Sequence, residues 1–214
     1  MGNKVVFRPR NPEATKEAIL AAARAEFAEA GLAGARVDSI AERSNANKRM
    51  IYHYFGGKEE LFSAVIISAY EDLRLQEKSL SLENLPAMDA ICKLVEFTWT
   101  YYIDNPEFIT LVNSENLHKA KHIAEHAGLR ELQQDYANMV AAILKRGVKE
   151  GVFRPGVDPV QFCITLAAIG YYYFTNRYTG EKLFGFDFMD KKALKARLKF
   201  NLETIKRLLA VDPA

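Results

Sequence analysis

Between residues 47 and 58 the chain gathers hydrogen-bond donors and cations at helical spacing: Asn47, Lys48, Arg49, Tyr52, His53 and Lys58. Lys48 and Arg49 are adjacent, and Tyr52 and His53 follow one turn later. Lys and Arg side chains neutralise phosphate oxygens and bind guanine edges. Tyr52 and His53, on neighbouring faces, can donate to phosphate, and Met50 completes the first turn. Lys58 stands where a further helix begins, so its ammonium and the backbone N–H groups there could pin one more phosphate. The chemistry available to this set is recognition of a double-stranded polyanion by the first turn of one short helix. Singly, each cation would be an ordinary solvated residue; together, their order points to the DNA major groove.

Two short helices and a tight turn must hold this set in place. Residues 37–44 read as the first helix, with Asp38 in its first turn, where the helix dipole favours an anion. Asn45-Ala46 is the turn, because Asn tolerates the left-handed conformation better than most non-Gly residues. Asn47 caps the second helix, residues 48–55. Ile40, Ala41, Ile51 and Phe55 are the apolar set that packs the pair together, and Ala41 is small enough for close approach. Gly56-Gly57 then breaks the chain. Upstream, residues 13–30 carry Ile19, Ala23 and Phe27 on one face, with Pro12 at the start and Gly31 just past the end. The whole reads as a helix-turn-helix.

The rest of the 214 residues is also helical in pattern. A helix from Lys58 buries Leu61, Phe62, Val65, Ile66 and Ala69. Others are expected over about 85–104, from 107 into the His118 region, over 129–150, from Asp158-Pro159 to about 178, and from Asp190 to about 209. The helix over 160–178 is apolar nearly all round, and a helix of that kind is buried on every side. The last helix carries Leu194, Leu198, Leu202, Ile205 and Leu209. These two helices are either ordinary core or half of a four-helix homodimer interface, the second reading being favoured because helix-turn-helix proteins bind DNA as dimers.

Hydrophobic residues make up 49% and charged residues 26%, which suits a globular chain with a full core. No apolar run reaches the ~18–20 residues of a membrane span, and no apolar leader is visible, so a cytoplasmic location is expected. Cys92 and Cys163 show no metal or redox spacing. The net charge of +2 is unevenly spread: residues 1–58 hold ten Lys/Arg against six Asp/Glu. A basic end on a mildly acidic body fits a polyanionic partner.

Gly31-Leu32, Val37, Ile40-Ala41, Ile51-Tyr52-His53-Tyr54-Phe55 and Lys58-Glu59-Glu60-Leu61 resemble, in order and spacing, the N-terminal domain of TetR-family transcriptional repressors. The resemblance covers about residues 13–72. It implies an all-α homodimer: a basic arm at 1–12, a three-helix DNA-binding domain at 13–72, and a larger helical ligand-binding and dimerisation domain at 73–214. The expected partners are a palindromic double-stranded operator and a small-molecule inducer. Three positions depart from the family pattern. Arg36 stands where Ser or Thr often caps the second helix, and could contact phosphate instead. Asn45 replaces the usual turn glycine. Arg49-Met50 replace a small residue and a Thr near the groove, which implies a different base preference. Lys4, Arg8 and Arg10 could run along the DNA backbone or form a solvated tail.

Aromatic stretches at 97–102 and 171–174 suggest an apolar cavity with a few polar groups, the usual form of a small-molecule site. The candidate ligand residues are Trp99, Tyr102, Asn113, Asn116, Tyr172, Asn176 and Arg177; Arg177 would select an anionic, partly apolar ligand. The plainer alternative is that the aromatics are core and the polar groups are caps. His118, His122 and His126 are spaced four apart, so one helical face could offer them with Glu115 to a metal. Surface histidines are the preferred reading, and no metal or cofactor is expected. No nucleophile elbow, phosphate loop or metal box marks an enzyme. A helical module whose basic end binds acidic protein is the remaining alternative.

Overall fold

A computed structural model describes residues 12–124 and 126–211, so Lys4, Arg8 and Arg10 of the expected arm lie outside the described residues. Among those described, ten α-helices and a single 3-10 turn form the secondary structure, with no strand. They are α1 (Pro12–Gly34), α2 (Val37–Arg43), α3 (Lys48–Phe55), α4 (Lys58–Lys78), a 3-10 turn (Leu82–Asn84), α5 (Ala87–Asp104), α6 (Pro106–Leu117), α7 (Ala127–Lys149), α8 (Pro159–Thr175), α9 (Arg177–Phe184) and α10 (Lys191–Leu209). Local chemistry accounts for many of the ends. The side chains of Asn47, His126, Asp158 and Asp190 each accept a backbone N–H in the first turn of the helix that follows. Gly31, at φ 66°, interrupts α1 where a side chain would be strained, so the last turn of that helix swings out of line.

The helices form two compact units, and the chain passes between them within α4, between Asn113 and Ser114 of α6, and again after Ala124. The smaller unit comprises the described residues up to Ile67 together with Ser114–Ala124. Ile19, Phe27, Ile40, Ile51, Leu61 and Phe62 are fully buried. Phe27 meets Phe62 edge-on, with ring centroids 5.1 Å apart. Burial of a side chain of this size stabilises by about 1.5–3 kcal/mol, so these six residues supply the main driving force for a bundle of short helices.

The larger unit spans Ser68–Asn113 and the described residues after 125. One cluster joins α5, α7, α8 and α10 through Ile91, Leu94, Val140, Phe162 and Ile205. A second is aromatic, with Trp99, Tyr102, Phe108, Tyr173, Phe174 and Phe188 at its centre.

Three expectations need correction. The helix foreseen to run to about 178 ends at Thr175, and residues 177–184 form a separate helix. The break lies at Asn176, and Gly180 then lets Phe188 approach so closely that a Cβ there would lie 2.4 Å from its ring. The leucines of α10 face inward, as ordinary core: Ile205 and Leu209 are buried, and Leu198 and Leu202 pack on the core. The three histidines share no helix, because Lys119 and Ala120 adopt positive φ and α6 stops at Leu117.

Candidate functional site

Chain direction changes within the four residues between α2 and α3. Asn45 takes the left-handed conformation at φ 51°, and the Ser44 hydroxyl donates to the Ile40 carbonyl at 2.7 Å. Asn47 is extended, and its Oδ1 accepts the Met50 N–H at 2.9 Å. The α3 boundaries and cap match the sequence reading. Ile51 is buried on the inner face with Ile40, while Ala41 and Phe55 are half-buried.

The opposite face of α3 is the candidate interface. Asn47, Lys48, Arg49, Tyr52 and His53 are exposed and Met50 is half-buried. Positions 48 and 52, and 49 and 53, are one turn apart, so the two rows stand side by side. Lys48 Nζ is paired with Asp38 Oδ1 of α2 at 2.6 Å. Arg36 is exposed just before α2. Lys58 differs from the others: its Nζ donates to the carbonyls of Ala33 and Ala35 at 3.3 and 3.2 Å, bracing the loop between α1 and α2. An ammonium has three N–H donors, so one is left for another acceptor.

The start of α2 is held by a residue that sequence reasoning missed. Arg36 makes no side-chain cap. Instead Glu26 of α1, only 5% exposed, accepts the Arg36 N–H at 3.0 Å and the Ser39 hydroxyl at 2.6 Å. The Ser39 hydrogen bond, then that from the Arg36 backbone, holds the Glu26 carboxyl below the ordinary value. Arg43, forked onto Glu29, lies 3.5 Å from the same carboxylate. The signal was available: Glu26 lies seven residues after Ile19 and beside Phe27, on the face of α1 that packs inward.

The Ser114–Ala124 segment also belongs to this unit. His122, expected at the surface, has a side chain only 4% exposed. Its Nδ1 lies 2.6 Å from Glu115 Oε2, and its backbone N–H donates to Glu115 Oε1. Phe62 packs against the ring, and the Ser63 hydroxyl donates to the His122 carbonyl. His118 is exposed and His126 caps α7. Among the described residues no group of three or more His, Cys, Asp or Glu is placed to hold a metal.

The seven ligand candidates do not converge on one space. Trp99 and Tyr102 are filled in by the aromatic cluster; the Trp99 ring lies 4.7 Å from that of Phe174. Asn113 is occupied by Thr175 and by the Tyr171 hydroxyl. Tyr172 is 61% exposed, and Asn176 turns back to the Tyr172 carbonyl. The Arg177 guanidinium stacks on Tyr178. Asn116 lies in the smaller unit.

A cleft of about 810 Å³ opens elsewhere in the larger unit, between residues 68–78 of α4, the 3-10 turn and α7. None of the seven lines it. At its heart Arg74 pairs with buried Glu77, donates to Gln133, and lies 4.0 Å over the Tyr136 ring. Burial pushes the Glu77 carboxyl above its ordinary value, against the pull of Arg74, and pushes the Tyr136 hydroxyl well above its own.

Comparison with known proteins agrees with the fold. The description "Bacterial regulatory proteins, tetR family" matches residues 19–65, and "Tetracyclin repressor-like, C-terminal domain" matches residues 88–205. The HTH-type transcriptional repressor NicS of Pseudomonas putida is 33% identical over 197 residues, covering 92% of this chain and 93% of its own. The HTH-type transcriptional repressor SCO4008 of Streptomyces coelicolor is 36% identical over 160 residues, covering 75% and 78%. The fold is shared with the transcriptional regulator SCO4942 of Streptomyces coelicolor, at TM-score 0.68 and 22% identity over 91% of this chain and 98% of that one. It is shared too with FadR of Bacillus subtilis in complex with stearoyl-CoA, at TM-score 0.66 and 17% identity over 90% and 98%. No helix among the described residues is long and apolar enough to cross a membrane. With a helix-turn-helix unit carrying an exposed basic face and family matches over both units, the chain belongs to the TetR family of DNA-binding transcriptional regulators, which are not enzymes.

Proposed function

We propose that this chain is a ligand-responsive repressor that binds a palindromic operator as a homodimer and is released by a small-molecule inducer. The observation that carries the reading is the outer face of α3, where Lys48, Arg49, Tyr52 and His53 stand exposed on a helix whose inner face is locked by Ile51. In this reading Asn47, Lys48 and Arg49 enter the major groove, and Arg49 with Met50 sets base preference. Arg36, Tyr52 and His53 contact phosphates, and Lys58 has one N–H to offer after bracing its loop.

The dimer would form through α8 and α10. The surface of α8 turned away from the core carries Val160, Ile164 and Tyr172 at helical spacing, with Ile164 57% exposed, and α10 presents Phe200 at 58%. Exposed apolar side chains on neighbouring helices of one unit support a self-complementary contact. The inducer is assigned to the cleft between α4 and α7. Operator and inducer would favour different separations of the two recognition helices, so binding of one weakens the other by the same coupling free energy. A relative in fold, FadR of Bacillus subtilis, is described with stearoyl-CoA bound, which supports a ligand site in this chain too.

The test is selection of bound fragments from genomic DNA, followed by titration of a selected duplex against random duplex. A two-fold symmetric site, bound by two chains and weakened by Lys48→Ala/Tyr52→Ala, is expected. Equal affinity for random duplex, or unchanged affinity in the double variant, refutes the docking.

A further inference from the structure

The cleft between α4 and α7 has a charge pattern that DNA binding does not use. Its lining includes the carboxylates of Glu71, Asp72, Glu83 and Asp135 against the single ammonium of Lys78, apart from the Arg74–Glu77 pair. Leu75, Leu82, Leu132 and Met139 supply apolar surface. Asp72 is engaged by Tyr101 and Gln76, whereas Glu71 and Asp135 make no ion pair with another described residue. The interior already shows how a cation sits here. The Arg74 guanidinium lies 4.0 Å over the Tyr136 ring with the carboxylate of Glu77 beside it, and Glu77 is 3% exposed. An aromatic face with an adjacent carboxylate attracts organic cations, most strongly where water is excluded.

We propose that this cleft binds an organic cation with an apolar body, such as an aryl or alkyl ammonium, amidinium or phosphonium, and not an anion. Arg177, the residue that suggested an anionic ligand, lies outside the cleft, and an anion entering it would face four carboxylates. The volume of about 810 Å³ lies in the range of small-molecule sites. Apolar body and charged head would divide between the leucine and methionine wall and the acidic rim. The biological use of the site rests on the inducer reading above; its ligand chemistry does not.

The experiment uses the full chain and two ions of the same shape and opposite sign, tetraphenylphosphonium and tetraphenylborate, in equilibrium dialysis over a range of salt. Tetraphenylphosphonium is expected to bind at one site per chain, more weakly as salt rises, and tetraphenylborate not to bind. Glu71→Gln/Asp135→Asn, both exposed, should weaken phosphonium binding roughly threefold to twentyfold, the effect of two solvent-screened charges. Circular dichroism verifies that the variant is folded. Equal or tighter binding of the borate, binding of neither ion, or a phosphonium affinity unmoved by the double variant overturns the cation site. Anisotropy of the selected DNA duplex is read separately. Phosphonium that binds at the rim and leaves DNA affinity unchanged overturns the inducer reading and leaves the cation site standing.

Discussion

Asp38 and a phosphate compete for the charge of the Lys48 ammonium, and that competition makes the docking face measurable. The pair is short, 2.6 Å, but its side chains are 48% and 61% exposed. Solvent-screened pairs of this kind are worth about 0.2–1 kcal/mol. Asp38→Asn therefore relieves DNA binding of that cost, and affinity should rise roughly 1.4- to 5-fold at low salt, because about 1.4 kcal/mol corresponds to tenfold. Removing a carboxylate near the phosphates acts in the same direction. Against this, Asp38 favours the α2 dipole by about 0.3–1 kcal/mol, so the variant should melt slightly earlier. The assay is fluorescence anisotropy of a labelled operator duplex at several salt concentrations, with Lys48→Met and the double variant completing a cycle. Lys48→Met should weaken binding and flatten the slope of log K against log salt by about 0.9, one phosphate's share. In that background the gain from Asp38→Asn should shrink to the repulsion alone. A gain of the same size in both backgrounds, or no gain in a normally folded Asp38→Asn protein, refutes the assignment of Lys48 to the DNA.

Other outcomes follow from the same geometry. Glu26→Ala should destabilise the smaller unit by about 3 kcal/mol, since two hydrogen bonds to a buried charged group are lost, while Glu26→Gln should cost about half as much; amide exchange over residues 36–40 is the readout, because Trp99 lies in the other unit. The Glu26 carboxyl is held below its ordinary 4.5, so its contribution is complete above about that pH and drains away as pH falls through the lowered value; Glu26→Gln should flatten this acid limb of a stability–pH profile. Gly147→Ala would set a Cβ 1.9 Å from the buried Phe153 ring, and should lower stability by about 1–3 kcal/mol in urea unfolding. Ile164→Glu on the outer side of α8 should yield monomers by light scattering; a dimer of wild-type affinity would place the interface elsewhere.

The helix-turn-helix was legible because its determinants are local. Asn45 tolerates a left-handed turn, Asn47 caps, and Ile40 with Ile51 mark the inner face, so neighbours a few residues apart decide the geometry. Asp158 and Asp190 announced α8 and α10 for the same reason. What was illegible depends on distant partners. A Glu on the inner face of α1 makes sense only once Arg36 and Ser39 are brought to it. The spacing of His118, His122 and His126 suggests a helix until Lys119 and Ala120 turn the backbone. Apolar character all round α8 marks neither its end at Thr175 nor which side the core takes. The aromatic residues around Trp99 fill their own space, and the open cleft arises where charged positions of α4 meet α7, a pairing that no local pattern encodes.

The segment Ser114–Ala124 carries a consequence for how such proteins can be recombined. It lies far along the chain, yet the Ser63 hydroxyl, the Phe62 ring and the Glu59–Lys121 ion pair tie it to α4 within the smaller unit. The DNA-reading unit is thus discontinuous in sequence. A chimaera that takes only residues up to the middle of α4 leaves Phe62 without the His122 ring and imports a foreign loop in its place. A graft that is to keep its own stability has to carry two stretches of sequence, and the second of them is the joint between α6 and α7.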